Sequence, residues 1–175
     1  IGEAALTLFA QQGYVGTSMS DIAGALGMSK AALYKHYAKK QEILDSIVAQ
    51  MHRLDEERAR AYAMPQSDAP GFAAAYRHTP AEQIRAYSLA QFRHWTEEDF
   101  PARFRKMLML EQYRDPELSR LYQTHLTTGP LDYMTAIFRP MAGSEAEARQ
   151  WALDFYGPLF LLYSVYDSAA NKAEV

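Results

Sequence analysis

Apolar residues return every three or four positions along almost the whole chain, and no stretch alternates apolar with polar as a half-buried strand would. That period leaves an all-α fold as the expectation. Ala5, Leu6 and Phe9 give a first helix its inner face, and Gly13 is suited to end it. Ser18, with Asp21 three residues on, opens a second helix over 20–26, which Gly27 stops. Ser29 caps a third helix over 30–37. A fourth, over 40–62, carries Ile43, Ile47, Met51 and Leu54 on one side.

The stretch Pro65 to Gly71 reads as a loop by composition. Thr79-Pro80-Ala81-Glu82 reads as a capping box with proline at the first helical position, opening a helix to about residue 95. A turn over 96–101, a helix over 102–113 and another from Asp115-Pro116 to about residue 138 follow, the last bent at Gly129-Pro130. Ser144 and Glu147 make a second capping box. It starts a final helix to about residue 170, with a kink expected at Gly157-Pro158.

Composition removes several kinds of chemistry. There are no cysteines, so disulfides, thiolate metal sites and cysteine nucleophiles are excluded. The longest apolar stretch, Trp151 to Tyr166, is broken by Asp154 and Gly157-Pro158 and is short for a bilayer. With no signal-peptide pattern, the expectation is a soluble cytoplasmic protein without a membrane partner. The chain opens on Ile1 rather than Met, so a preceding extension is expected. A net charge of −3 argues against a protein that coats nucleic acid all over. Yet Lys30, Lys35, Lys39 and Lys40 fall in a stretch, 30–40, that contains no carboxylate. Basic charge focused this way suits a local DNA contact.

The segment from Ser18 to Lys40 has the parts of a helix-turn-helix. Ile22, Ala23, Leu26, Met28 and Leu33 can form a small shared core, Ala23 is small where two helices would cross, and Gly27 permits the turn. Thr17-Ser18-Met19-Ser20-Asp21-Ile22-Ala23, Gly27-Met28-Ser29-Lys30, Leu33-Tyr34-Lys35-His36-Tyr37 and Lys40-Gln41-Glu42-Ile43-Leu44 together resemble the N-terminal domain of the TetR family of bacterial regulators. The resemblance covers about the first quarter of the chain. Beyond it, the chain is similar to the family in being helical, in length and in ending with two long apolar helices.

The resemblance implies a DNA-binding domain over 1–45 and a ligand-binding and dimerisation domain over 46–175. It implies a homodimeric repressor of a double-stranded DNA operator, released by a small hydrophobic or aromatic effector, with no cofactor. Lys30, Tyr34, His36 and Lys40 resemble the family's backbone and groove contacts. Ser18 is placed to offer its hydroxyl or N–H to a phosphate. Ala31, Ala32 and Lys35 lie where base edges are read, and Tyr37 takes a core position. At one position the chain departs from the family: Lys39 stands where a capping Ser, Asn or Asp is usual, and it cannot accept the cap bond.

Trp95, Phe100, Phe104, Met107, Leu110, Tyr113, Tyr122, His125 and Phe155 lie on the helices that resemble the family's ligand-binding bundle. Each is also a plausible core residue. Arg103, Arg105 and Lys106 are candidates to select an anion, with solvent exposure the competing reading. The last helix carries two apolar stripes: Trp151, Phe155, Leu159, Leu162 and Tyr166, and Ala152, Tyr156, Phe160 and Tyr163. One should pack inward and the other, with Tyr156, Phe160 and Tyr163, against a second subunit. His94 with Glu97 and Glu98 is the one cluster that suggests an enzyme. It has no second ligand group, and no phosphate loop or nucleophile elbow accompanies it. A non-enzyme is expected; a helical enzyme or a protein-only adaptor are the alternatives.

Overall fold

The computed structural model describes residues 1–65 and 71–174, and the described residues form helices joined by short turns, without a strand. In chain order these are α1 (Gly2–Gln12), α2 (Met19–Ala25), α3 (Lys30–Tyr34), α4 (Lys40–Ala61), α5 (Phe72–Arg77), α6 (Ala81–Thr96), α7 (Asp99–Glu111), α8 (Pro116–Leu126), α9 (Thr128–Phe138) and α10 (Glu145–Ser168). Residues 66–70, most of the expected loop, lie outside the described residues.

The chain divides into two compact units, which do not follow a single cut after residue 45. One is Ile1–Glu56 with Asp99–Tyr122, and the other is Glu57–Glu98 with Gln123–Val175. In the first, Leu6, Phe9, Ile22, Leu33, Ile43, Leu44, Ile47, Met51, Phe104, Met107 and Leu108 are all buried. Burying side chains of this size stabilises a fold by about 1.5–3 kcal/mol each. Arg103 on α7 braces this core from outside, bonding Glu3 Oε2 at 2.7 Å and also reaching Asp99 and Thr7. The neighbouring Arg105, expected in solvent, is fully buried, with Nη1 3.5 Å from the Met109 sulfur, while Lys106 is exposed.

In the second unit tyrosines gather about the core. Met64, Tyr76, Met134, Ile137 and Ala152 form its core, ringed by Tyr62, Phe72, Tyr87, Tyr133 and Phe138. Phe72 stacks on Tyr133 at 5.5 Å, and Tyr76 meets the same ring edge-on at 6.3 Å. Burial pushes the Tyr76 phenol up to about 12 and raises that of Tyr133 further. Phe92 on α6 holds α10 by stacking on Tyr163 at 5.9 Å and meeting Tyr166 at 5.8 Å.

Several boundaries differ from expectation. The helix α5 had no sequence signal of its own. Its presence changes the role of Thr79, whose hydroxyl donates back to Ala75 O at 3.2 Å and so closes α5. The cap position of α6 falls to Pro80, which has no side-chain cap bond. Helix α7 begins at Asp99, with Pro101 in its first turn, where its missing N–H costs nothing. The expected single helix over 116–138 is two, parted at Thr127, whose φ of −132° and ψ of −89° are not helical. Gly129 sits just beyond, and a Cβ there would lie 1.9 Å from Thr124 O. Helix α10 runs through Pro158 without ending. Ser144 caps it as expected, accepting from Glu147 N at 3.2 Å, but the Glu147 carboxylate takes Gly143 N at 2.6 Å and leaves the box half made.

Candidate nucleic-acid interface

The turn between α2 and α3 is built from short-range signals. Ser18 Oγ accepts from Asp21 N at 3.2 Å while Asp21 Oδ2 accepts from Ser18 N at 2.8 Å, a reciprocal cap that opens α2. At the other end Met28 N donates to Ala23 O and Gly27 N to Gly24 O, both at 3.0 Å. This closure needs a left-handed residue, and Gly27 supplies it with φ of +63°. Ser29 then opens α3, its Oγ accepting from Ala32 N at 3.1 Å. Helix α3 is shorter than expected. Lys35 and His36 follow as a turn, with Lys35 N on Ala32 O at 3.2 Å and His36 N on Leu33 O at 3.0 Å. Only Leu33 of α3 is buried.

What remains outward is cationic and aromatic. Lys30, Ala31, Tyr34, Lys35, His36 and Lys39 are exposed, and Ala32 is half-buried. The Lys30 ammonium lies 5.9 Å from the centre of the Tyr34 ring, so the two side chains form one cation–π pair on the outer face of α3. Tyr37 is half-buried, with its hydroxyl 3.4 Å from Ser46 Oγ. Lys39 makes no cap. The backbone nearby is served instead by Glu42, whose carboxylate accepts from Ala38 N at 2.7 Å.

Two expected contacts are placed otherwise. The Ser18 N–H and hydroxyl are both held by the Asp21 carboxylate, the hydroxyl at 2.7 Å, which also keeps the Asp21 carboxyl below its ordinary range. Lys40 folds inward: Nζ donates to Tyr14 O at 2.5 Å and Thr17 O at 2.7 Å, and sits 4.2 Å from the centre of the Tyr14 ring. Desolvation there lowers its pKa, opposed by Glu111 and Asp115. Lys40 thus fastens the loop between α1 and α2. The same loop is held from α7, where Glu111 Oε1 accepts from Val15 N at 3.3 Å. Sequence reasoning missed Glu111 because its partner lies 96 residues away.

The aromatic set expected to line a ligand site is divided between the units. Phe104, Met107, Leu110, Tyr113 and Tyr122 fall in the first; Trp95, His125 and Phe155 fall in the second. Phe104 and Met107 are fully buried, whereas Leu110 is 41% exposed and Tyr113 91%. Phe100 is buried as well. Trp95 and His125 do meet, ring centres 6.3 Å apart. Phe155 packs on Phe138 at 6.2 Å and is 37% exposed. On α10, Tyr163 is buried against Phe92, Tyr156 donates to Leu126 O at 2.8 Å, and Phe160 is half-buried between their rings. The most open apolar side chains on that helix are instead Leu153, Leu161 and Val165.

His94 is buried, with Nδ1 2.7 Å from Glu98 Oε2 and also against Arg58, while Glu97 is exposed. Among the described residues no group of three or more His, Cys, Asp or Glu is placed to hold a metal ion, and no helix is long and apolar enough to cross a membrane.

Lys30 on α3 and Lys35 and His36 in the turn after it give the helix-turn-helix an exposed cationic face, the class of motif that enters a DNA groove. Residues 1–47 match the family described as bacterial regulatory proteins, tetR family. The biofilm operon icaADBC HTH-type negative transcriptional regulator IcaR of Staphylococcus epidermidis is 49% identical over 39 residues, 22% of this chain and 21% of that protein. Its namesake in Staphylococcus aureus is 43% identical over 44 residues, 25% of this chain and 24% of that protein. The chain thus spans about a fifth to a quarter of the curated relatives it matches. Over the whole chain the likeness is one of fold. A tetR-family transcriptional regulator from Mesorhizobium loti covers 99% of this chain and 86% of its own at TM-score 0.59 and 18% identity. A TetR/AcrR-family regulator from Thermobifida fusca covers 99% and 87% at TM-score 0.55 and 23% identity.

Proposed function

We propose that this chain is a cytoplasmic repressor that binds a double-stranded DNA operator as a homodimer and releases it when a small hydrophobic or aromatic molecule binds the helical body. The observation that carries the reading is the outer face of α3 and the turn that follows it, where Lys30, Tyr34, Lys35 and His36 stand exposed behind a well-capped turn. Lys35, Ala31 and Ala32 read base edges in the major groove, since lysine donates to guanine O6 and N7 and alanine senses a thymine methyl. Lys30, Tyr34, His36 and Lys39 hold the phosphate backbone. Ser18 and Lys40 shape the head that presents them. The relatives described as negative regulators support repression rather than activation.

Two heads on a two-fold axis meet successive major grooves about 34–36 Å apart, so the operator is pseudo-palindromic. Leu153, Leu161 and Val165, the open apolar side chains of α10, are the contact between copies, with Phe160 at its edge. Trp95 and His125 mark the effector side of the body. Selection of bound sequences from random DNA tests the reading. Recovered sites should share an inverted repeat, Lys35→Ala should relax base preference at one position at a cost of about 1–3 kcal/mol, and Lys39→Ala should weaken all sites evenly. Sites without inverted symmetry would remove the dimer, and no enriched sequence at all would remove the regulator.

A further inference from the structure

Ala86 and Ala90 lie one turn apart on α6, and their small side chains leave a hollow beside α4. The hollow is a groove of about 370 Å³ lined by Arg58, Tyr62, Ala86, Leu89, Ala90, Arg93 and Glu98, all within the second unit. The two helices run antiparallel. Arg58 reaches Gln91 and His94, while the Tyr62 carbonyl, one turn further on, accepts from Gln83 at 2.7 Å. One end of the groove is therefore apolar, made by Tyr62, Ala86, Leu89 and Ala90. The other is charged, made by Arg58, Arg93 and Glu98.

The charged end is held in place on one side and open on the other. The Arg58 side chain is only 8% exposed, with Nη1 on Gln91 Oε1 at 2.8 Å and Nη2 4.0 Å from Glu98 Oε2. Gln91 is itself fixed by the Tyr87 hydroxyl at 2.9 Å. Arg93 is exposed, and none of the described residues bonds its guanidinium. His94 adds no charge at neutral pH, since burial and then Arg58 push it down to about 4. Arg58, Arg93 and Glu98 thus line this end beside an apolar floor, and of the two guanidiniums Arg93 is the exposed one.

We propose that this groove binds a small organic monoanion, a carboxylate whose head pairs with Arg93 and whose hydrocarbon or aromatic body lies over Ala86, Leu89, Ala90 and Tyr62. Arginine forks match carboxylates two bonds at a time. At roughly 30 Å³ for each non-hydrogen atom, the share a water takes in the liquid, the groove holds about a dozen such atoms. This deepens the ligand-responsive reading by giving the effector a charge and a seat other than the aromatic set, and it does not require DNA binding.

The test is calorimetric titration of the whole chain with octanoate and with 4-phenylbutyrate, beside the neutral octanamide. At least one carboxylate should bind at a single saturable site, and octanamide at least tenfold more weakly. Arg93→Met, at an exposed position, should weaken the carboxylate at least tenfold without lowering the melting temperature. Ala90→Phe should fill the groove and abolish binding. No saturable binding of either carboxylate overturns the proposal, as does equal binding of the amide or an affinity unchanged by Arg93→Met. A chain that selects DNA but binds neither carboxylate loses this site alone. A chain that binds octanoate but selects no DNA keeps the site and loses the regulator.

Discussion

The turn around Gly27 and the aromatic cluster around Tyr133 are both made of short helical pieces, yet they are held by different forces. In the turn, Ser18, Gly27 and Ser29 find their partners within five residues, through hydrogen bonds between side chain and backbone at the serines and within the backbone at the glycine. In the cluster, Tyr133 on α9 meets Phe72 and Tyr76 on α5 across more than fifty positions of chain, through ring contacts alone. A local hydrogen-bonded turn forms one geometry because few others satisfy its donors. A long-range apolar cluster accepts many packings and settles on one only when its helices are already placed. On the function proposed above, the first kind of order suits a surface that must match the spacing of a DNA groove, and the second a body that adjusts around a small molecule.

Substitutions can break this contrast. The largest effect belongs to Gly13, where the head does depend on a distant partner. Its φ is +86°, and an added Cβ would lie 2.1 Å from Glu111 Oε1. Gly13→Ala should cost roughly 2–4 kcal/mol, a strained backbone plus a displaced carboxylate. Gly27→Ala, at φ of +63° with open space around it, should cost only about 1 kcal/mol. Equal losses in denaturant melts would mean that Glu111 yields freely and does not hold the loop.

Acid should act next, and on the second unit. His94 is pushed from its ordinary 6.5 down to about 4 in the folded chain, so between those values the unfolded chain binds the extra proton. Stability should be full above pH 6.5, fall as the pH drops toward 4, and fall no further from this group below that. His94→Gln should flatten the decline between pH 6.5 and 4, read from guanidinium midpoints. An unchanged slope would place the titration on other groups.

The smallest effect compares caps. Ser29→Ala should cost about 1 kcal/mol, the usual worth of an N-cap. Thr79→Ala, at the position where sequence alone put a cap for α6, should cost less than about 0.5 kcal/mol, because its hydroxyl only back-bonds to Ala75 O. Matching losses in thermal melts would return Thr79 to a capping role.

The head was legible because its signals are local. Ser18 with Asp21, Gly27 and Ser29 name their own hydrogen bonds, and Ala5, Leu6, Phe9, Ile22 and Leu33 were rightly read as buried. Even there, one residue needed the tertiary fold. A lysine at position 40 looks like any exposed cation until Tyr14 O and Thr17 O are brought to it.

From the sequence alone came the helical class, the place of the turn and the exposed basic stretch from Lys30 to Lys39, because helical period, caps and glycine conformations act over a few residues. The tertiary structure decided which charges turn inward, as Arg105 and Lys40 do, and which side of α10 stays open, with Tyr163 inside and Leu161 out. It also decided how Arg58 and Arg93 come to share one groove, 35 positions apart in the chain. The physical reason is one of range. A side chain fixes its own dihedrals and the turn beside it, but its burial and its ionic partners depend on helices that pack against it only once the whole chain has closed.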